Sequence, residues 1–288
     1  MSNKEELLLN KTISLTRSKL KSYVFLNLIN QNKNFSELKL LGQTSSISNT
    51  IHYFEDNNII ELKNNENYGL ASEGQIIAIN FLNFLDAWPT KGISEFLNKH
   101  IINDIPSHLI DELYLLHNGK LLTYDFNSPY ESFNVYTDLL SKTHSLNIVL
   151  SICSSEHINI LYDLVKDDSN FILNIIVTES ILYELYINHI DNFNNLLSLS
   201  NVNFYKSNEE LNIFLNSGSN FISIQLFDLN NEYDTMFMFY DTSKSGTHWG
   251  KELFNYFLNN SKYLNIKSSN DLKEYFIKKW VCLNLCFL

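Results

Sequence analysis

The chain has 288 residues, 44% of them hydrophobic, and a formal net charge of −11. This length predicts about two domains, and the apolar content is sufficient for ordinary hydrophobic cores. The three cysteines, an odd and scattered set, indicate neither a disulfide framework nor a zinc site, which favours a reducing cytoplasm. No signal peptide is visible, and no apolar run approaches the roughly 20 residues of a membrane span.

The acidic charge is confined to one part of the chain. Residues 1–75 carry 8 basic and 8 acidic side chains, so the net charge of −11 belongs to the remainder. Because that remainder repels nucleic acid, only the N-terminal part is suited to approach it.

Residues 34–70 show the pattern on which the functional interpretation depends. A first helix at Thr16–Asn30 precedes two short helices that are joined by a turn at Gly42. In the second short helix Ile47, Ile51 and Phe54 recur at helical spacing and predict a buried stripe, with Thr44 or Ser45 as the cap. Apolar segments at 59–62 and 68–70 flank a turn-rich segment and predict a hairpin. Helix-turn-helix followed by a hairpin is typical of a winged helix.

The outer face of the predicted second helix is rich in short hydroxyl and amide side chains, which reach phosphates and base edges in a major groove. Asn49 is the best candidate for base recognition, because an amide pairs bidentately with adenine. The helix has no lysine or arginine, which favours the alternative of a small dimerisation or scaffolding module. The candidate DNA-binding residues are Ser45, Ser46, Ser48, Asn49, Thr50 and His52 on the helix and Lys63 at the wing.

Residues 72–88 predict a helix that is apolar almost all round, which a second chain, the next domain or both must cover. We therefore expect this connector to contribute to a homodimer. From residue 118 onward, strands alternate with helices, and the apolar runs Leu146–Cys153 and Phe171–Val177 predict strands buried on both faces. This alternation indicates an α/β domain with a mostly parallel sheet, whose ligands bind beyond the carboxyl ends of the strands.

The predicted division has four parts. Residues 1–75 form the winged helix-turn-helix DNA-binding domain, and 76–117 form a helical connector with a dimerisation role. Residues 118–265 form an α/β sensor or dimerisation domain. Residues 266–288 form a C-terminal extension that packs as a helix on this domain or on a partner, or is disordered.

No catalytic set is visible in the sequence. The phosphate-binding patterns G-x-x-x-x-G-K-[ST] and G-x-G-x-x-G and the nucleophile pattern G-x-S-x-G are absent. The eight histidines show no H-E-x-x-H spacing. His100, His108 and His248 are each suited to act as a ligand or a base, but capped or surface histidines are favoured. We therefore predict no enzyme activity, no cofactor, no metal site and no catalytic residue.

Three passages resemble the methanogenesis regulatory protein family of archaeal helix-turn-helix transcription regulators, with its characteristic middle domain. The segment YGLASEG at 68–74 resembles the family's wing-to-helix junction, Y-x-L-T-x-x-G, with Ala71 in place of threonine. Residues 96–108 resemble F-W-x-x-H-D-I-x-x-I-P and keep Phe96 and His100 but have Leu97 in place of tryptophan. Residues 241–256 contain WGKELF, which resembles the family's closing passage.

The resemblance covers residues from about 18 to 263 and implies a winged helix domain followed by an α/β domain that senses an effector or dimerises. The second domain is distantly similar to phospholipase D-like sensor domains. Phospholipase D chemistry needs H-x-K, whereas His157 is followed by Ile158 and Asn159, so the catalytic motif is missing.

The predicted fold class is therefore α+β overall, with an N-terminal winged helix-turn-helix domain and a C-terminal α/β domain. The predicted function is that of a cytoplasmic, dimeric archaeal transcription regulator that binds double-stranded DNA. Its α/β domain is expected to sense a small-molecule effector or to dimerise. The alternative is a protein-interaction or small-molecule-sensing module whose winged helix does not bind DNA.

Overall fold

The computed structural model describes residues 3–64, 66–88, 91–125 and 130–285. It divides into two compact units, Met1–Leu85 and Asp86–Leu288. The finer division into four segments, with a separate connector at 76–117, stays a prediction. Within the described residues, no helix combines the length and the apolar content that a membrane crossing requires.

The first unit consists of helices around a three-stranded antiparallel sheet with strand order β1-β3-β2. Its helices are α1 (Asn3–Thr16), α2 (Lys19–Asn30), α3 (Phe35–Leu38), a 3-10 helix (Lys39–Leu41), α4 (Thr44–Asp56) and α5 (Ser72–Asp86). Its strands are β1 (Lys33–Asn34), β2 (Ile60–Lys63) and β3 (Asn67–Leu70).

The core of the first unit is formed where α4 packs against α2. The predicted stripe of Ile47, Ile51 and Phe54 is confirmed, since all three side chains are at most 2% exposed. They pack in one cluster with Val24 and Phe25 of α2. The 3.6-residue period of α4 therefore places its apolar side chains in the core and leaves the opposite face to solvent.

The helix caps differ from the prediction at one position. Helix α3 begins with a capping box. The side-chain oxygen Oδ1 of Asn34 accepts a hydrogen bond from the backbone N–H of Glu37 at 3.0 Å, and the Glu37 carboxylate accepts one from the backbone N–H of Asn34 at 2.9 Å. The prediction that Thr44 or Ser45 caps α4 is wrong, because the N-cap residue is Gln43, which makes no side-chain capping bond. Both hydroxyl residues already lie inside the first turn, past the position from which a cap reaches the free amides.

The second unit is built on a single sheet of eight strands with helices against it. Its strands are β4 (Lys120–Thr123), β5 (Ser145–Leu150), β6 (Ile172–Val177), β7 (Val202–Ser207), β8 (Ile213–Gly218), β9 (Ile222–Leu226), β10 (Phe237–Asp241) and β11 (Ser261–Leu264). Its helices are α6 (Lys91–Asn98), α7 (Ser107–Asp111), a 3-10 helix (Leu113–Leu116), α8 (Glu131–Ser141), α9 (Ser155–Val165), α10 (Glu179–Asn188), α11 (Ile190–Leu197), α12 (Lys244–Asn259) and α13 (Ser269–Leu285).

The sheet is mixed, with strand order β11-β7-β6-β5-β8-β9-β10-β4. The prediction of a mostly parallel sheet is wrong. Only the pairs β5–β6 and β6–β7 are parallel, whereas five other pairs are antiparallel. The physical reason is the type of connection: β8, β9 and β10 follow one another without an intervening helix, and such connections join antiparallel strands, whereas parallel strands need a crossover helix.

Both faces of the central strands are covered. Successive residues of β5 point to opposite sides, and Ile148 joins one core cluster while Val149 joins the other. Within the described part of the predicted C-terminal extension, α13 packs on the second unit, because its Leu272 and Phe276 are buried in the same cluster as Ile148.

Candidate functional site

Helix α4 presents a polar face opposite its buried stripe. Ser45, Asn49 and His52 are exposed on this face, and Ser46 and Ser48 are half-buried beside it. Their spacing of four and three residues keeps the exposed side chains on one side of the helix. The face lies directly after the turn that follows the 3-10 helix and directly before the β2–β3 hairpin.

Thr50 does not belong to this face, and its prediction as an outward-facing residue is wrong. Its side chain is 4% exposed, and its hydroxyl donates to the carbonyl oxygen of Ser46 at 2.9 Å. Successive residues of a helix are about 100° apart, so position 50 lies beside Phe54 at the edge of the buried stripe. The back-bond to the preceding turn lets a hydroxyl occupy this buried position.

The charges near the polar face are largely balanced. Nδ1 of His52 lies 3.4 Å from the Glu55 carboxylate, and Lys63 forms an ion pair with Glu61 on the same strand. Lys39, in the 3-10 helix before α4, is exposed, with its Nζ 5.4 Å from the Phe35 ring centroid. Positive charge therefore borders the face of α4 but does not lie on it.

A separate cavity of about 260 Å³ lies in the second unit. It is bounded by α8, by the loop between β5 and α9, and by residues of the antiparallel half of the sheet. None of the described residues that line it is a lysine or an arginine, and Glu156 is the one carboxylate among them. The remaining lining residues are aromatic, apolar or uncharged polar: Ser132, Phe133, Tyr136, Ile152, Cys153, Ser154, His157, Ile160, Phe214, Gln225, Tyr233 and Met238.

A hydrogen-bonded chain of polar side chains runs from the cavity into the sheet. The Tyr136 hydroxyl lies 2.7 Å from Nε2 of His157 and donates to Oδ1 of Asn216 at 3.2 Å. The Asn216 amide in turn donates to the Ser223 hydroxyl at 3.2 Å. Because the single phenol proton goes to Asn216, Nε2–H of His157 donates to the phenol oxygen, and Nδ1 carries a lone pair.

Burial determines the protonation states of Tyr136 and His157 in this hydrogen-bonded chain. It lowers the pKa of His157 to about 4, so the imidazole is neutral near pH 7. Burial also raises the pKa of Tyr136 far above its ordinary range, and the nearby Tyr233 adds to this effect. The chain is therefore a set of neutral hydrogen-bonding groups at a cavity that contains no cationic side chain.

Sequence reasoning missed this cluster. His157 is 21 positions from Tyr136, and Tyr136 is 80 positions from Asn216, so only the sheet topology brings the three together. His100, one of the three histidines that the sequence analysis singled out, is buried, with Nδ1 2.6 Å from the Phe96 carbonyl oxygen and Nε2 3.2 Å from the Asp234 carboxylate.

Comparison with solved structures gives distant likenesses. TrmBL2, an archaeal chromatin protein whose structure shows a novel mode of DNA binding, has 11% sequence identity and a TM-score of 0.37, over 88% of this chain and 99% of that chain. NucT from Helicobacter pylori has 9% identity and a TM-score of 0.38, over 51% and 98%. Neither score reaches the level that indicates a shared fold. No relative was found among curated proteins.

Two family models match the sequence directly. The N-terminal domain of methanogenesis regulatory protein FilR1 matches residues 10–88, and the middle domain of the same protein matches residues 129–260. These ranges contain helix α4 with its polar face and the cavity with its buried polar chain. Together they cover more than half of the sequence, which confirms the resemblance: the chain belongs to the family of the methanogenesis regulatory protein FilR1.

Proposed function

We propose that this regulatory protein is an archaeal, cytoplasmic transcription regulator whose first unit is a winged helix-turn-helix that binds double-stranded DNA. The observation that carries the proposal is the exposed face of α4, where Ser45, Asn49 and His52 lie between a turn and a hairpin. In such domains the second helix enters the major groove and short polar side chains contact base edges. We infer that Lys39 and Lys63, which lie before and after α4 in the chain, contact phosphates.

The test is binding of the purified chain to the DNA upstream of its own gene, titrated at two salt concentrations. A sequence-specific regulator loses affinity steeply as salt rises, because bound cations are released from the phosphates, and it outcompetes unrelated duplex. Absence of binding at low salt, with the protein folded, contradicts the proposal.

One observation favours a second candidate, a module that senses or interacts without binding DNA. The polar face of α4 has no cationic side chain, the helix ends in Glu55 and Asp56, and Lys63 is paired with Glu61. Phosphate neutralisation supplies much of the affinity in ordinary DNA complexes. This candidate predicts a folded protein that binds no duplex at any salt concentration.

For the second unit, whose phospholipase D-like character is part of this proposal, we infer a role in effector binding at the cavity beside His157. A lone pair on Nδ1 of His157 accepts from a ligand N–H or O–H, and the aromatic walls contact its apolar surface. With no cationic side chain among the lining residues, an uncharged ligand is favoured over a phosphate or carboxylate. Ligand binding raises the unfolding temperature by an amount that grows with the logarithm of the ligand concentration above Kd, which a thermal-shift screen of small uncharged metabolites measures.

We also propose a homodimer formed through α5. Ile76 and Ile79 are 64% and 62% exposed on this helix, beside an apolar groove of about 540 Å³ that α1, α4 and α5 line. A two-fold pair of winged helices places two α4 helices on successive major grooves. Light scattering should give twice the chain mass for the native protein and the single-chain mass for an Ile76→Glu, Ile79→Glu variant.

A further inference from the structure

Three metal-ligating side chains converge at one edge of the second unit, although they come from separate parts of the chain. Cys153 lies in the loop between β5 and α9, Glu184 lies on α10, and His189 lies between α10 and α11. All three are half-buried, and one ligand atom of each lies within 4.8 Å of the other two. Nε2 of His189 is 3.8 Å from the Glu184 carboxylate.

A hydrogen bond to Ser155 orients the imidazole ring of His189. Nδ1 of His189 lies 2.8 Å from the hydroxyl of Ser155, the first residue of α9. When Nδ1–H donates to this hydroxyl, the lone pair of Nε2 points toward the side of Glu184. Histidines that bind metals are oriented in this way, with the second ring nitrogen hydrogen-bonded to a neighbouring group.

The spacing suits a small coordination sphere. Zinc bonds of about 2.3 Å to sulfur and about 2.0–2.1 Å to nitrogen or oxygen put two tetrahedral ligands roughly 3.3–3.8 Å apart. The separation of 3.8 Å between Nε2 of His189 and the Glu184 carboxylate is at the upper end of this range. The wider separations in the group close with movements of about 1 Å, which side chains in a loop and at a helix end accommodate.

Among the described residues, no lysine or arginine forms an ion pair with this group. Glu184 accepts a hydrogen bond from Asn188 at 2.8 Å, and its one ion-pair partner among the described residues is His189. Burial, and then the charge of Glu184, raise the pKa of the Cys153 thiol to about 11. A divalent cation reverses this effect, because it stabilises the thiolate and releases its proton. One thiolate, one carboxylate and one neutral imidazole balance a charge of about +2.

We propose that Cys153, Glu184 and His189 form a binding site for a divalent transition-metal ion, of which zinc is the best match. Mixed sulfur, nitrogen and oxygen donors select such ions over magnesium and calcium, which prefer oxygen alone. Three protein ligands leave a coordination position for water or another molecule. Cys153 also lines the cavity beside His157, so the ion lies at the edge of that cavity.

The test is a cobalt titration of the full chain after chelator treatment and confirmation of folding by circular dichroism. A thiolate–cobalt charge-transfer band in the near ultraviolet should grow to one equivalent and disappear when zinc is added. Cys153→Ser should abolish the band, and His189→Gln should weaken cobalt binding by at least tenfold.

Two controls keep the result specific. A Cys282→Ser, Cys286→Ser variant retains the Cys153 site, so it should keep the full band, and His144→Gln, at an exposed position outside the site, should bind cobalt normally. A folded native protein that takes up neither cobalt nor zinc overturns the proposal, as does a band that persists in Cys153→Ser. The titration contains no DNA and no organic effector, so its outcome is independent of the function proposed above.

Discussion

At the scale of single residues, Asn49 gives the sharpest test of the DNA-binding proposal. Its amide lies exposed on α4 and can form two hydrogen bonds to one adenine. We expect Asn49→Ala to weaken binding to the specific operator by about 1–3 kcal/mol, the magnitude of one bidentate contact. Gel-shift or fluorescence anisotropy titrations at fixed salt measure this difference.

Asn30→Ala is the matched control, because Asn30 is an exposed asparagine of the same unit at the end of α2. It should leave operator affinity unchanged. Equal affinities of the Asn49→Ala variant and the native protein for the operator remove Asn49 from the base-contacting role.

His157 gives a prediction about pH. Its pKa is lowered to about 4 in the folded protein against 6.5 in the unfolded chain, so protons favour the unfolded state. The stability that neutral His157 contributes to the folded state is complete above about pH 6.5 and is lost as the pH falls toward 4. Between pH 7 and pH 5 we expect a loss of about 2 kcal/mol. Denaturant unfolding, followed by the fluorescence of the buried Trp249, measures it.

A His157→Gln variant removes the titrating group and should show a flatter pH dependence over this interval. His144→Gln removes an exposed histidine and should keep the native slope. Identical slopes in the His157→Gln variant and the native protein contradict the assignment.

The limits of sequence reasoning at this scale are visible on α4. The apolar period placed Ile47, Ile51 and Phe54 correctly, because hydrophobic burial follows a helical repeat. Thr50 was misplaced because its type suggests exposure, whereas its position lies at the edge of the buried stripe, beside Phe54. The predicted cap of α4 was wrong for a related reason. Several neighbouring hydroxyl and amide residues are suited to the cap position, and packing decides at which of them the first turn begins.

At the scale of elements, close packing at the junction between the hairpin and α5 explains why the family motif has a glycine at position 74. A Cβ added to Gly74 would lie 1.8 Å from the carbonyl oxygen of Ile59, which is backbone and cannot move aside. We expect Gly74→Ala to destabilise the first unit by about 1–3 kcal/mol through overpacking. Thermal unfolding measures the loss.

Gly92→Ala is the matched control in another helix, α6, where the nearest atom to an added Cβ is the Leu121 Cβ at 3.9 Å. This contact is ordinary, so alanine should be neutral or stabilising by up to about 1 kcal/mol through its higher helix propensity. Equal effects of the two substitutions would refute the packing explanation.

The sheet shows which elements a sequence pattern reveals. The long apolar runs became β5 and β6, flanked by helices as predicted. Strand β8 was missed because its sequence, IFLNSG, ends in polar and small residues that resemble a loop. Yet Asn216 and Ser217 in it are buried, and hydrogen bonds to Tyr136 and Ser223 satisfy the polar side chain of Asn216. Because β8 was not predicted, the remaining predicted strands indicated a mostly parallel sheet.

At the scale of the whole molecule, the C-terminal helix is tied to the second unit through Glu179. This carboxylate pairs with Lys206 at 3.0 Å and with Lys279 of α13 at 2.8 Å, and it accepts from the Tyr275 hydroxyl at 3.0 Å. Burial by itself raises the pKa of Glu179, but the hydrogen bonds from Lys279, Lys206 and Tyr275 outweigh it and leave the pKa below its ordinary value.

We expect Glu179→Gln to lower the stability of the second unit by about 1 kcal/mol, since the groups are partly exposed and screened by solvent. In the native protein the lowered carboxyl pKa contributes stability above about pH 4.3, which is lost as the pH falls further. Glu274→Gln removes a pair with Lys278 whose side chains are 71% and 78% exposed, and it should have no measurable effect. Denaturation midpoints of the two variants at pH 7 measure the contrast, and equal midpoints would contradict the role of Glu179.

The order of strands in the second unit also governs how the protein is made. The first unit is continuous in sequence, so it can fold as soon as its last helix leaves the ribosome. In the second unit β4 pairs with β10, β11 pairs with β7, and α13 supplies Leu272 and Phe276 to the core. Its core is therefore completed only after α13 has been synthesised, when the first unit has already had time to fold. During that interval the nascent chain exposes strand edges and apolar faces, so we expect it to depend on chaperones until α13 emerges.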